Sequence, residues 1–119
     1  MSDKDCLFCN MLSRQISVDF VSENEFAFAI RDINPRAPVH VLIIPREHIS
    51  DAREILETHH STLGAMFDLA KNVAVAEGVL EDGYRLSFNV GDAAGMTISH
   101  LHLHLFAGRG LGPEVGPEA

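Results

Sequence analysis

The stretch His100-Leu101-His102-Leu103-His104-Leu105-Phe106 decides how this chain folds and where its chemistry sits. In an extended strand successive side chains alternate faces, so the three histidines share one face. Leu101, Leu103 and Leu105 then point the other way, into a core. Alternate strand residues lie about 7 Å apart, which sets three imidazoles in a row. Histidine is neither a strong strand former nor a good core residue, and a merely wet sheet face does not call for it three times. Two chemistries use such a row. Alternate strand positions can present imidazoles to a metal. A neutral imidazole can also attack phosphorus and split one hard displacement into two easier ones. Flanking imidazoles then orient the nucleophile, bind phosphate oxygens or move protons.

Working outward, residues 99–106 are the fifth of five expected strands. Tyr84 to Val90 forms the fourth (84–90). Between it and the third strand lies a long helix over 58–77. Its Leu63, Met66, Phe67, Ala70, Val73 and Ala74 follow the three-four spacing of a buried stripe, and Gly78 can supply the left-handed residue that ends it. Residues 39–44 are rich in β-branched side chains and close at Pro45, so they form the third strand. Asn34-Pro35 and Ala37-Pro38 break the chain before it. Strands over 19–22 and 25–31 flank a turn at Glu23-Asn24. A short helix spans 7–14, with Leu7, Phe8, Met11 and Leu12 on one face. The fold class expected is α+β: a five-stranded antiparallel sheet with a short N-terminal helix and one long helix, covered by helices on one face.

Length and composition agree with one domain over residues 1–119, with 108–119 as an extended Gly- and Pro-containing tail. The 119 residues are 46% apolar and 22% charged, within the globular range. The net charge of −8 argues against a general nucleic-acid binder, which needs a basic footprint. A local pocket can still be positive and hold a small phosphate ligand. No run approaches a membrane span. The charged start, Met1 to Asp5, carries no apolar signal segment, and a cytoplasmic location is expected. Cys6 and Cys9, spaced Cys-x-x-Cys, suggest metal or redox chemistry more than a structural disulfide.

The triad segment followed by Gly108-Arg109 resembles the signature of the histidine-triad family, in its nucleotide-binding branch. Asp32-Ile33-Asn34-Pro35, Ala37-Pro38, His40 to Pro45, and Asn89-x-Gly91-x-x-x-Gly95 agree with it in the same order, so the resemblance runs from Cys6 to about Gly112. It implies an enzyme that hydrolyses purine nucleoside phosphoramidates through a nucleotidyl-histidine intermediate. His102 would be the nucleophile, His104 would contact the phosphate and help the leaving group, and His40 would assist from a neighbouring strand. Asn89, Thr97 and the backbone of the loop from Gly95 would hold phosphate oxygens. Asp32 would accept the ribose hydroxyls, although its place before Asn34-Pro35 also suits a turn residue. Ile33, Leu7, Phe8, Met11, Ile30 and Leu42 would enclose the base, and each of them equally suits an ordinary core. Relatives of this kind often bind structural zinc, here through Cys6, Cys9, His48 and His100, and form a two-fold dimer; no metal would enter the chemistry. The family commonly has glutamine where this chain has Met96, and a thioether cannot donate a hydrogen bond. That departure keeps open a nucleotide-binding adaptor with little turnover. A dinucleoside polyphosphate hydrolase of the same family, or a zinc hydrolase using the triad as ligands, is also compatible with the motif. His59 and His60 are expected at the surface.

Overall fold

The computed structural model describes residues 6–13 and 18–113. Five strands form one antiparallel sheet: β1 (Ser22–Glu23), β2 (Ala27–Arg31), β3 (Val39–Pro45), β4 (Arg85–Ser87) and β5 (Leu103–Ala107), in the order β1-β2-β3-β5-β4. Helix α1 (Leu7–Leu12) precedes the sheet, and α2 (His60–Ala76) connects β3 to β4. No described helix is long and apolar enough to cross a membrane.

Alternation along the central strands builds two apolar layers rather than one. Ala27, Ala29, Val41, Ile43, Leu103 and Leu105 face α2 and pack with Met66, Leu69, Ala70 and Val73. Phe28, Ile30, Leu42 and Ile44 face the other way and pack with Phe8 and Cys6 of the α1 segment. The sheet is thus covered on both faces, not one, which explains the unbroken burial of β3 from His40 to Pro45. The stripe on α2 is shifted from expectation: Leu69 and Thr62 are buried, while Phe67 is 47% exposed and its ring meets Phe88 edge-on.

Helix α2 ends as a Schellman motif. Gly78 sits at φ 74, its N–H bonds to Val75 O at 3.1 Å, and Val79 N–H bonds to Ala74 O at 2.9 Å. The expected N-terminal turn of this helix is a separate 3-10 turn, Glu57–His59. His59 corrects the surface expectation, since it is 8% exposed. Its Nδ1 accepts Leu56 N–H at 2.9 Å and its Nε2–H donates to Glu47 Oε2 at 2.9 Å, so a fully satisfied ring can be buried. His60 is exposed.

The first hairpin turns two residues later than expected. Asn24 Oδ1 accepts the N–H groups of Phe26 and Ala27 at 3.0 and 2.9 Å, and the turn forms around that side chain. The last expected turn of α1 lies in part outside the described residues, as do residues 114–119 of the tail.

Candidate active site

Strand β5 starts at Leu103, not Ser99, so His100 and His102 lie ahead of it. The reason is the end of β3. Pro45 has no N–H, and its carbonyl accepts His100 Nε2–H at 2.8 Å where a ladder bond would otherwise form. Leu101 N–H turns instead to Ile49 O at 2.6 Å. The leucines still enter the α2 core and His102 and His104 still face the opposite side, so alternation survives without the ladder.

On that side a cleft of about 380 Å³ opens, walled by β5, the start of α1, the turn after β2 and the loop after β4. His102, His104, Asp32, Ile33, Asn89, Gly95, Thr97, Leu7, Phe8, Ile30 and Leu42 all line it. Met11 does not; it packs into the smaller apolar layer, one helical turn beyond Leu7 and Phe8. Arg31, Asn34, Arg36, Ala94 and Ile98 line the cleft without having been expected there. Arg31 ends β2 and the other four sit in turns and loops, where no periodicity marks a residue as inward-facing. A roomier hollow of about 480 Å³ lies beside His48 and His59, yet both ring nitrogens of His59 are already spent.

Hydrogen bonds fix the tautomers. His102 Nδ1–H donates to the carbonyl of His100 at 2.7 Å, which leaves the Nε2 lone pair for the cleft. Arg36 N–H donates to His40 Nδ1 at 3.2 Å, so the ring proton of neutral His40 is on Nε2. That proton is given to His104 Nδ1 at 3.0 Å, which places the proton of His104 on its own Nε2. His104 Nε2 lies 3.4 Å from Asn89 Nδ2 at the cleft wall; with its proton on Nε2 it makes no hydrogen bond to that NH2 group, and the N–H stays available to the cleft. The pair therefore presents one nucleophilic nitrogen, on His102, and one N–H donor, on His104. Asp32 divides its oxygens: Oδ1 accepts Asn34 N–H at 2.8 Å in the turn, and Oδ2 lies 3.5 Å from His40 Nε2.

The loop after β4 makes a short 3-10 turn, Asp92–Ala94, closed by Gly95 in the left-handed region at φ 84. Gly95 N–H bonds to Asp92 O at 2.9 Å and Met96 N–H to Gly91 O at 3.2 Å. Those two donors are spent inside the turn, while Thr97 and Asn89 bring side-chain donors to the cleft. Met96 does not line it.

Cys6, Cys9, His48 and His100 converge behind α1, their ligand atoms all within 4.8 Å of one another. Cys6 Sγ lies 3.2 Å from His100 Nδ1, and Cys9 Sγ lies 3.3 and 3.6 Å from the Nδ1 atoms of His48 and His100. With Zn–S near 2.3 Å and Zn–N near 2.05 Å, a tetrahedral site has S···N edges of about 3.5 Å. The cluster matches that shape. The bond from His100 Nε2–H to Pro45 O leaves Nδ1 as the ligand nitrogen, the outer-shell support such a ligand needs.

A family model described as HIT domain matches residues 13–111 of the chain. The chain belongs to the HIT family. It is 39% identical over 110 residues to a purine nucleoside phosphoramidase of Escherichia coli, covering 92% of each protein. A HIT family hydrolase of Legionella pneumophila superposes with a TM-score of 0.90 at 40% identity, over 94% of this chain and 100% of that one. A 14 kDa zinc-binding protein of Zea mays is 39% identical over 111 residues, which cover 92% of this chain and 86% of that protein.

The cleft of this HIT domain keeps its histidines neutral. Burial lowers the pKa of His104 to about 4, aided by His102, His40 and Arg36 and opposed by Asp32. Burial also lowers His40, against the opposing charge of Asp32, and lowers His102, against its bond to the His100 carbonyl. An unfolded histidine titrates near 6.5. Between that value and about 4 the unfolded chain takes up a proton that folded His104 refuses, so stability is lost as pH falls through this window. Thermal melts from pH 7 to 4.5 should show this loss in the wild type and a shallower one in His104→Asn. Equal slopes would contradict a neutral, desolvated His104.

Proposed function

We propose that this HIT protein hydrolyses purine nucleoside phosphoramidates through a nucleotidyl intermediate on His102. The observation that carries the reading is the fixed tautomer of His102, with Nδ1–H held by the His100 carbonyl and Nε2 turned to the cleft. Its lone pair attacks phosphorus in line, forming an N–P bond as the bond to the amine breaks. Neutral His104 keeps its Nε2–H and donates it as a hydrogen bond to the leaving nitrogen, which departs as the amine with a proton taken from solvent. Water then attacks the same phosphorus, the bond to His102 breaks, and the water's proton passes to solvent. The sum is phosphoramidate plus water giving nucleoside monophosphate plus amine. Asn89 and Thr97 hold the phosphoryl oxygens, and Asp32 uses Oδ2 for the ribose while Oδ1 keeps the turn. Leu7, Phe8, Ile30, Ile33 and Leu42 enclose the purine. The E. coli relative named a purine nucleoside phosphoramidase supports the substrate class.

Zinc bound by Cys6, Cys9, His48 and His100 would have a structural role, since His100 is committed to it and His102 is not. The Zea mays zinc-binding relative supports this assignment. A two-fold dimer is part of the same proposal.

The test is turnover of adenosine 5′-phosphoramidate beside a diadenosine polyphosphate, each with and without chelator. Release of AMP from the phosphoramidate, at a kcat/KM at least tenfold higher than for the polyphosphate, is expected. A polyphosphate preference would move the chain to a different branch of chemistry.

A further inference from the structure

The described arginines divide into two sets. Arg31, Arg46 and Arg53 pair with Glu77, Glu23 and Asp51. Arg36, Arg85 and Arg109 have no carboxylate partner among the described residues, and all three line a single concavity of about 270 Å³. In a chain of net charge −8, the described guanidinium groups without a carboxylate partner are thus collected in one place. Among the described residues no acidic side chain lines this concavity.

The three are held rather than loose. Arg85 Nη2 donates to Gly112 O at 2.6 Å, Arg109 Nη2 to Arg36 O at 2.9 Å, and the Arg36 guanidinium lies 5.4 Å from the centre of the Phe106 ring. These partners are carbonyls and an aromatic face, so no described carboxylate compensates the positive charges. Three guanidinium groups facing one hollow repel one another, and an oxyanion between them relieves that repulsion while accepting several N–H bonds.

The hollow adjoins the reactive cleft. Arg36 and Asn89 line both. Phe106 forms its wall two residues beyond His104 on β5, and the two rings stack with centroids 5.5 Å apart and planes 2° apart. In in-line displacement the leaving group lies opposite the attacking nitrogen, and on the reading above it meets His104 Nε2, which is 3.4 Å from Asn89.

We propose that Arg36, Arg85 and Arg109 form an anion subsite that receives a carboxylate or phosphate carried on the leaving amine. The inference rests on the phosphoramidase reading and narrows its substrates to amines bearing an oxyanion a few bonds from the nitrogen.

The test compares three adenosine phosphoramidates, of propylamine, 3-aminopropanoate and 2-aminoethyl phosphate. Wild type should favour at least one anionic amine over propylamine by tenfold or more in kcat/KM, and the favoured one identifies the anion. Arg85→Gln should collapse that ratio to within twofold, Arg85→Lys should restore part of it, and added salt should lower it. Thermal melts establish that each variant is folded. The same compounds are also titrated into His102→Ala, where binding is read without turnover. Absence of hydrolysis of all three by wild type would sink the phosphoramidase reading alone, and the titration would still decide the subsite. Equal affinity for neutral and anionic compounds, or a preference untouched by Arg85→Gln, would overturn the subsite.

Discussion

Replacing His102 by alanine is expected to lower turnover by roughly a thousandfold or more, because the nucleophile itself is removed. AMP affinity should change by less than about tenfold, or 1.4 kcal/mol, since the other cleft residues remain in place. His102 sits outside the β5 ladder, and its only backbone commitment among the described hydrogen bonds is Nδ1–H to the His100 carbonyl. Its loss therefore leaves the sheet intact. His100→Ala should behave differently, because His100 is wholly buried between Cys6 and the Pro45 carbonyl. That variant should lose thermal stability first and activity as a consequence. Single-turnover rates, AMP titrations and melts on both variants separate the roles. Wild-type turnover by His102→Ala would end the nucleophile assignment.

Removing zinc should produce the other large effect. Structural zinc contributes folding free energy directly, since no preformed site exists in the unfolded chain. If even about 2 kcal/mol of that is expressed here, the melting temperature should drop by roughly 8 °C. Activity, measured below the lowered melting temperature, should persist. A metal that supplied the attacking water would give the reverse order: activity lost at once from a protein still folded and little changed in stability. Elemental analysis of freshly purified, reduced protein, followed by activity and melts during chelation, distinguishes these outcomes. Protein without zinc that melts at the same temperature before and after chelation would remove the structural site.

The parts of the fold written in local periodicity were legible. Alternation placed Leu101, Leu103 and Leu105 in one core and turned His102 and His104 away from it. The spacing on α2 located the helix, and Gly78 located its end. What was not legible depends on partners distant in sequence. The start of β5 is set by the carbonyl of Pro45, which nothing near Ser99 reveals. The burial of His59 depends on Glu47 and Leu56, and the second apolar layer depends on Phe8 meeting Phe28 across the sheet. The cleft positions of Asp32, Asn89 and Thr97 came from a family resemblance, since single polar residues in turns carry no periodic mark. Arg36 escaped both routes. Its contribution is a backbone N–H, a guanidinium over Phe106 and a place on the wall of two cavities, none of which a sequence pattern encodes.

The sheet order has a consequence for how the chain reaches its working form. β3 and β5 are neighbours at the centre of the sheet, and the bond between His40 and His104 spans 64 residues. Local pairing of β1, β2 and β3, and the winding of α2, can begin early because their contacts are close in sequence. The central pairing must wait for a long loop to close, at an entropic cost that local contacts do not offset. During synthesis, β3 therefore waits with an uncovered edge until β5 has emerged. Neither the reactive cleft nor the Cys and His cluster can assemble before then, because each takes a member from residues 100–104. A nascent chain stalled before His100 would present sticky strand edge and loose thiols but no active enzyme.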